Sequence, residues 1–199
     1  MKGMLQITAL TILLPIYALA YETMYERTAV GEIEVKEIPH RVALETAIQK
    51  DYFAGDNNMF RTLFRYIRSN DLAMTVPVEA EMKPGKMRFF VGGKDAAKKI
   101  TSRDGVAVRE MQRITVVSIG IRGSYSKTRF QRYEQKLKVW LMENKEFEAI
   151  SRPYGVYWNS PMVPGIFKRS EIHVVIRKKD SAGESKKKPE KRTDDPDES

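Results

Sequence analysis

Two stretches of this 199-residue chain carry the same order of elements, strand, helix, strand, strand, and that order limits what the chain can fold into. In the first stretch Ile33 and Val35 alternate with Glu32, Glu34 and Lys36, the period of two that marks a half-buried strand. Pro39 bends or breaks the strand, and Val42, Leu44 and Thr46 resume the alternation. A helix follows, with Asp56 or Asn57 placed to cap it. Met59, Phe60, Leu63, Phe64 and Ile67 fall at helical spacing, with Arg61, Arg65 and Arg68 on the other side. Val78, Ala80 and Met82 then alternate with Glu79, Glu81 and Lys83. Lys83-Pro84-Gly85-Lys86 reads as a type II turn, and Met87 to Val91 returns as the partner strand.

The order then recurs. Ile114 to Ile121 is β-branched and strand-like. Ser126 caps a second helix whose apolar stripe is Phe130, Tyr133, Leu137, Trp140 and Leu141. Tyr154 to Trp158 is a short strand, Ser160 to Arg169 a loop with Pro161, Pro164 and Gly165, and Ile172, Val174 and Ile176 alternate in the last strand. Between the units, a short helix fits around Asp95 to Ile100. The expected class is α+β: two strand-helix-strand-strand repeats joined into one curved antiparallel layer or distorted barrel, with two main helices over it. Such a fold leaves a cleft between sheet and helix, of the size that takes a small ligand.

The ends read differently. Residues 1–20 have a positive start at Lys2, an uncharged and mostly apolar run from Met4, and Ala18-Leu19-Ala20 in the small-x-small pattern of a cleavage site. They read as a signal peptide cleaved after Ala20, with an uncleaved anchor as the alternative. The expected location is outside the cytoplasm, periplasmic or secreted. A membrane would be touched only through an uncleaved leader. Residues 178–199 hold charged residues, Ser and Pro with almost no apolar side chain, the composition of a disordered tail. The folded domain is therefore expected over residues 21–177.

Chemistry is scarce. There is no cysteine, which excludes disulfides, thiolate metal sites and cysteine nucleophiles. The two histidines, His40 and His173, have no recognisable catalytic partner in sequence. Gly92-Gly93-Lys94 lacks the rest of a phosphate loop. Glu32 and Glu34, and Glu79 and Glu81, are carboxylate pairs at strand spacing that read as solvated sheet faces. The net charge is +9, yet the basic residues form no long run within the domain, so nucleic acid is not an expected partner. The chain reads as a binding module rather than a hydrolase.

Three segments carry a resemblance: "EIEVKEIPHRVALET" from Glu32, "FRTLFRYIRSNDLAMTVPV" from Phe60 to Val78, and "YGVYWNSPMVPGIFKRSEIHVVI" from Tyr154 to Ile176. Together and in this order they resemble the SOUL haem-binding family, with Met74 to Val78 matching its Met-Thr-x-Pro-Val signature. The resemblance implies a distorted eight-stranded barrel with two helices and reversible, non-covalent binding of haem or a related porphyrin. It places the tetrapyrrole in an apolar cleft between the first helix and the loop before the last strand. Carried onto this chain, that cleft would use Met59, Phe60 and Leu63 on the helix, and Met162, Val163 and Phe167 on the loop. Arg61, Arg65 and Lys168 would meet the propionates, and His40 is the candidate axial ligand. The alternatives are a tetrapyrrole-modifying enzyme, or an effector-binding or interaction module of the same fold.

Overall fold

A computed structural model describes residues 21–55 and 58–179. The frame is a long bent pair of strands. β2 (Ile33–Ile38) and β3 (Arg41–Ile48) follow the short β1 (Glu22–Thr23), and Pro39 and His40 make the bend between them. They run antiparallel to β8 (Ile114–Arg122) and β7 (Ala107–Met111), respectively. The register is unbroken across the bend: Ile38 faces Ile114 and Arg41 faces Met111.

Between these strands come α1 (Met59–Ser69), β4 (Thr75–Val76), β5 (Val78–Glu81) and β6 (Gly85–Phe90). After β8 come α2 (Lys127–Glu143), β9 (Phe147–Ala149), β10 (Tyr154–Tyr157) and β11 (Arg169–Lys178). The main sheet runs β2-β8-β11-β10-β5-β6-β3-β7, with β9 beside β11, while β1 and β4 pair separately. The two ends of this path, β2 and β7, continue into β3 and β8, which already lie inside it. The antiparallel sheet therefore curls on itself as an eight-stranded half-barrel, and the α+β class expected from the sequence holds.

Each helix covers its own part of the sheet. α1 buries Met59, Leu63, Tyr66 and Ile67 against Leu44, Val78, Ala80, Met87 and Phe89. α2 is capped by Ser126, whose hydroxyl accepts from the Arg129 amide, and covers Val117, Ile119, Ile121, Ile172 and Val174. Of its five-residue stripe only Leu137 is fully buried. Phe130, Tyr133, Trp140 and Leu141 pack against this cluster but stay partly open.

Local details differ from the sequence reading. The turn before β6 is not type II: Gly85 has no positive φ and already belongs to β6. The connection between the repeats carries a 3₁₀ turn at Gly93–Asp95, slightly earlier than expected. Asn58 stands at the N-terminus of α1, while Asp56 and Asn57 lie outside the described residues. β11 runs to Lys178, paired with Phe147, one residue past the expected domain boundary. The leader and the residues from 180 onward lie outside the described residues.

Candidate functional site

The gap under α2 is a cavity of about 810 Å³, within the range that accommodates a drug-sized organic ligand. Its position follows from the half-packed stripe. Phe130, Leu137 and Leu141 of α2 form one wall. Met82, Met111, Ile114 and Val174 face them from the sheet and its bends. Arg41, Glu79, Glu81, Arg88 and Tyr154 line its other part from β3, β5, β6 and β10, on the sheet face opposite the one α2 covers. Lys83, Lys127, Lys138, Arg152, Asp51 and Glu134 add charged groups. Six basic and four acidic side chains thus line the cavity, an excess that suits an anionic amphipathic guest.

The polar lining arises from strand alternation. On β5, Val78 and Ala80 pack in the α1 cluster, so Glu79 and Glu81 point to the opposite face. That face is the interior of the half-barrel. Glu79 is 1% exposed, so it does not belong to the solvated face that the sequence pattern suggested. It accepts a hydrogen bond at 2.8 Å from Arg41 Nη2, and the Tyr25 hydroxyl donates to it at 3.2 Å. Arg88 bridges Glu45, at 2.7 Å, and Glu81. Burial opposes ionisation of Glu81, but the Arg88 guanidinium overcomes it and holds the carboxyl below its usual range. Arg41 Nη1 reaches the Pro39 carbonyl, and the guanidinium lies 4.9 Å from the Phe90 ring centroid. Its Nε is buried with no acceptor among the described residues.

A second polar cluster continues along the interior face. The Tyr154 hydroxyl meets His173 Nδ1 at 3.4 Å, and His173 Nε2 meets Glu171 at 2.6 Å. Glu171 also accepts from the Thr28 amide, Ser118, Lys36 and Trp158 Nε1. Desolvation would raise the Glu171 carboxyl, but this ring of donors, with His173 and Lys36 foremost, lowers it to about 2. Burial holds His173 below its ordinary value, and a neutral imidazole satisfies both contacts by donating to Glu171 and accepting from Tyr154. Burial, with Glu79 nearby, also pushes the Tyr25 and Tyr154 hydroxyls well above the usual tyrosine range, so both stay protonated.

None of the residues expected to hold the tetrapyrrole lines this cavity. Met59 and Leu63 are spent in the α1 core, and Phe60 packs edge-on against Phe89. Arg61 and Arg65 project into solvent from the outer side of α1. Met162 and Phe167 are exposed on the loop, with Val163 and Lys168 half-buried beside them. Beside that loop, Tyr157 belongs to the α1 cluster and Tyr125 packs on it at 4.5 Å. The Tyr125 hydroxyl ties to the Asn159 and Arg169 carbonyls at the two ends of the loop. His40 is half-exposed at the β2–β3 bend, 3.7 Å from Glu110, and Arg41 rather than His40 enters the cavity. Among the described residues, no group of three or more His, Asp or Glu could hold a bare metal ion.

An α+β half-barrel with a ligand-sized cavity under one helix is the class that fold and site define. The chain belongs to the SOUL heme-binding protein family, whose sequence profile matches residues 17–175. A search of curated proteins finds no match. Similar solved structures include the EcmrR C-terminal domain, with a TM-score of 0.56 at 16% identity over 74% of this chain and 98% of that one. EcmrR in its DNA complex gives 0.58 at 15% identity over 74% of this chain, which spans 57% of that one. A hydrolase from Listeria innocua gives 0.54 at 9% identity, covering 75% of this chain and 94% of that one. At these identities the likeness is one of fold.

Proposed function

We propose that this protein binds haem or a related tetrapyrrole reversibly and without catalysis, in the cavity beneath α2. The observation that carries this reading is the partly open stripe of Phe130, Leu137 and Leu141 over a space with more basic than acidic lining residues. A flat apolar macrocycle would gain about 25 cal/mol for each Å² it buries there. Arg152, whose Nη1 donates to the Lys83 carbonyl, would receive a carboxylate at the cavity. When bound, the haem would supply an iron able to take a soft axial donor, and Met82 and Met111 are the thioethers in the lining. His173 is engaged through both ring nitrogens and is not free for that role.

The effector-binding alternative would need buried carboxylates available to a cation. Glu79 and Glu81 are each already paired with an arginine and are not free for a cation. The test is a titration of hemin into the full chain, followed at the Soret band. A saturable shift at micromolar protein, competed by protoporphyrin but not by lipophilic cations, is the expected result. A shift that never saturates, or that lipophilic cations abolish, overturns the reading. Loss of haem absorbance beyond a free-hemin control, with peroxide or reductant present, would replace binding with turnover.

A further inference from the structure

The loop between β10 and β11 presents an apolar tip to water. Met162 is 89% exposed, Ile166 67% and Phe167 56%, and Pro161 and Pro164 are exposed beside them. Soluble surfaces scatter such residues singly, so a cluster in one short segment calls for a partner. The tip is also built to hold its shape. The Val163 amide donates to the Ser160 carbonyl, the Phe167 amide to Pro164, and the Lys168 amide to Gly165. Gly165 lies so close to Ser124 that a Cβ would fall 2.0 Å from the Ser124 hydroxyl. Arg122 Nε clamps the Ile166 carbonyl at 3.0 Å.

A collar of positive charge surrounds this tip. Arg122, Arg129 and Lys168 donate to the backbone carbonyls of Ile166, Arg122 and Pro161, respectively. None of these three cations forms an ion pair among the described residues. Apolar side chains at the point and unpaired cations behind them match an anionic lipid surface, with acyl chains ahead and phosphates at the level of the collar. A second copy of the chain fits less well. Three protruding side chains offer far less than the roughly 800 Å² per partner that a stable interface buries. Two such collars would also bring like charges together. Among the described residues no helix is long and apolar enough to cross a membrane, so contact here would be peripheral.

We propose that the Pro161–Lys168 loop docks this domain on anionic phospholipid membranes, independently of the cavity. Vesicles of phosphatidylcholine with and without phosphatidylglycerol test this with the full chain. Comparing Met162→Ser/Ile166→Ser/Phe167→Ser with wild type cancels any contribution of the leader. The triple variant should keep the wild-type melting temperature and lose about tenfold or more in partition to anionic vesicles. Phe167→Trp should gain a fluorescence component, absent from wild type, that brominated lipid quenches in anionic vesicles. Equal partition of triple variant and wild type, or an added tryptophan signal that brominated lipid leaves unquenched, overturns the proposal. So does concentration-dependent self-association that the triple variant abolishes.

Discussion

Arg41 Nη2 donates to Glu79 Oε1 at 2.8 Å, with both side chains almost wholly buried at the cavity. Removing one partner strands a charge that water cannot reach. Glu79→Ala should therefore destabilise the fold by about 3–5 kcal/mol. Arg41→Met/Glu79→Met should recover most of that loss, because it buries two apolar chains instead of two charges. Chemical denaturation of the single and double variants measures both. A single variant within about 1 kcal/mol of wild type would mean that solvent reaches the pair.

Acid should weaken the fold in two stages. The Glu171 carboxyl is lowered from 4.5 to about 2, so the unfolded chain takes up its proton first as pH falls. The stability it contributes is complete above pH 4.5 and is lost between 4.5 and 2, on the order of 3 kcal/mol. His173 is also depressed, from 6.5, by burial, so its contribution is complete above pH 6.5 and declines below it. Urea midpoints should fall gently below pH 6.5 and steeply below 4.5. Glu171→Gln should remove the steep part and leave a protein less stable at neutral pH. A wild-type profile flat from pH 6 to 3 would contradict the burial of this cluster.

Gly120 carries the segment that closes over Glu171. Its amide donates to the Glu32 carbonyl and its carbonyl accepts from Gly31. A Cβ at this position would meet the Ala29 carbonyl oxygen at 2.0 Å and the Thr28 carbonyl oxygen at 2.7 Å. Both obstacles are backbone, so they can yield only by moving Thr28, whose amide and hydroxyl bind Glu171. Gly120→Ala should cost about 3 kcal/mol, the upper end of overpacking effects. It should also alter the fluorescence of Trp158, whose Nε1 donates to Glu171 at 2.7 Å. An unchanged melting temperature would show that residues 28–32 are not held where they lie.

Much of this architecture is legible in local sequence. The bend at Pro39, the Ser126 cap, both helices and the order of the repeats all come from short-range patterns. What the sequence conceals is which face of each pattern meets solvent. Glu79 and Glu81 alternate with Val78 and Ala80 as they would on a wet sheet; their arginine partners are Arg41 and Arg88, brought beside them from β3, two strands away, and from the paired strand β6. Phe130 and Leu141 read as an ordinary packing stripe, because periodicity is the same for a packed face and for a cavity wall. Met162 and Phe167 show the converse ambiguity. A loop's apolar residues look alike in sequence whether they line a cleft or protrude, and in this structure both are exposed.

The proposed seat under α2 and the α1–loop seat implied by the resemblance make opposite predictions for two variants. Leu141 is half-buried on α2, at the edge of its core cluster, and faces the cavity, so Leu141→Asp places a carboxylate against the apolar wall while the melting temperature checks that the fold is kept. Hemin affinity should fall about tenfold or more, since an uncompensated charge costs well over 1 kcal/mol in such surroundings. Met162→Ser lies outside the cavity and should leave the affinity unchanged. Soret titrations of the two variants beside wild type decide the matter. If Met162→Ser weakens binding and Leu141→Asp does not, the tetrapyrrole seats between α1 and the loop after displacing Tyr125, and the space under α2 serves something else.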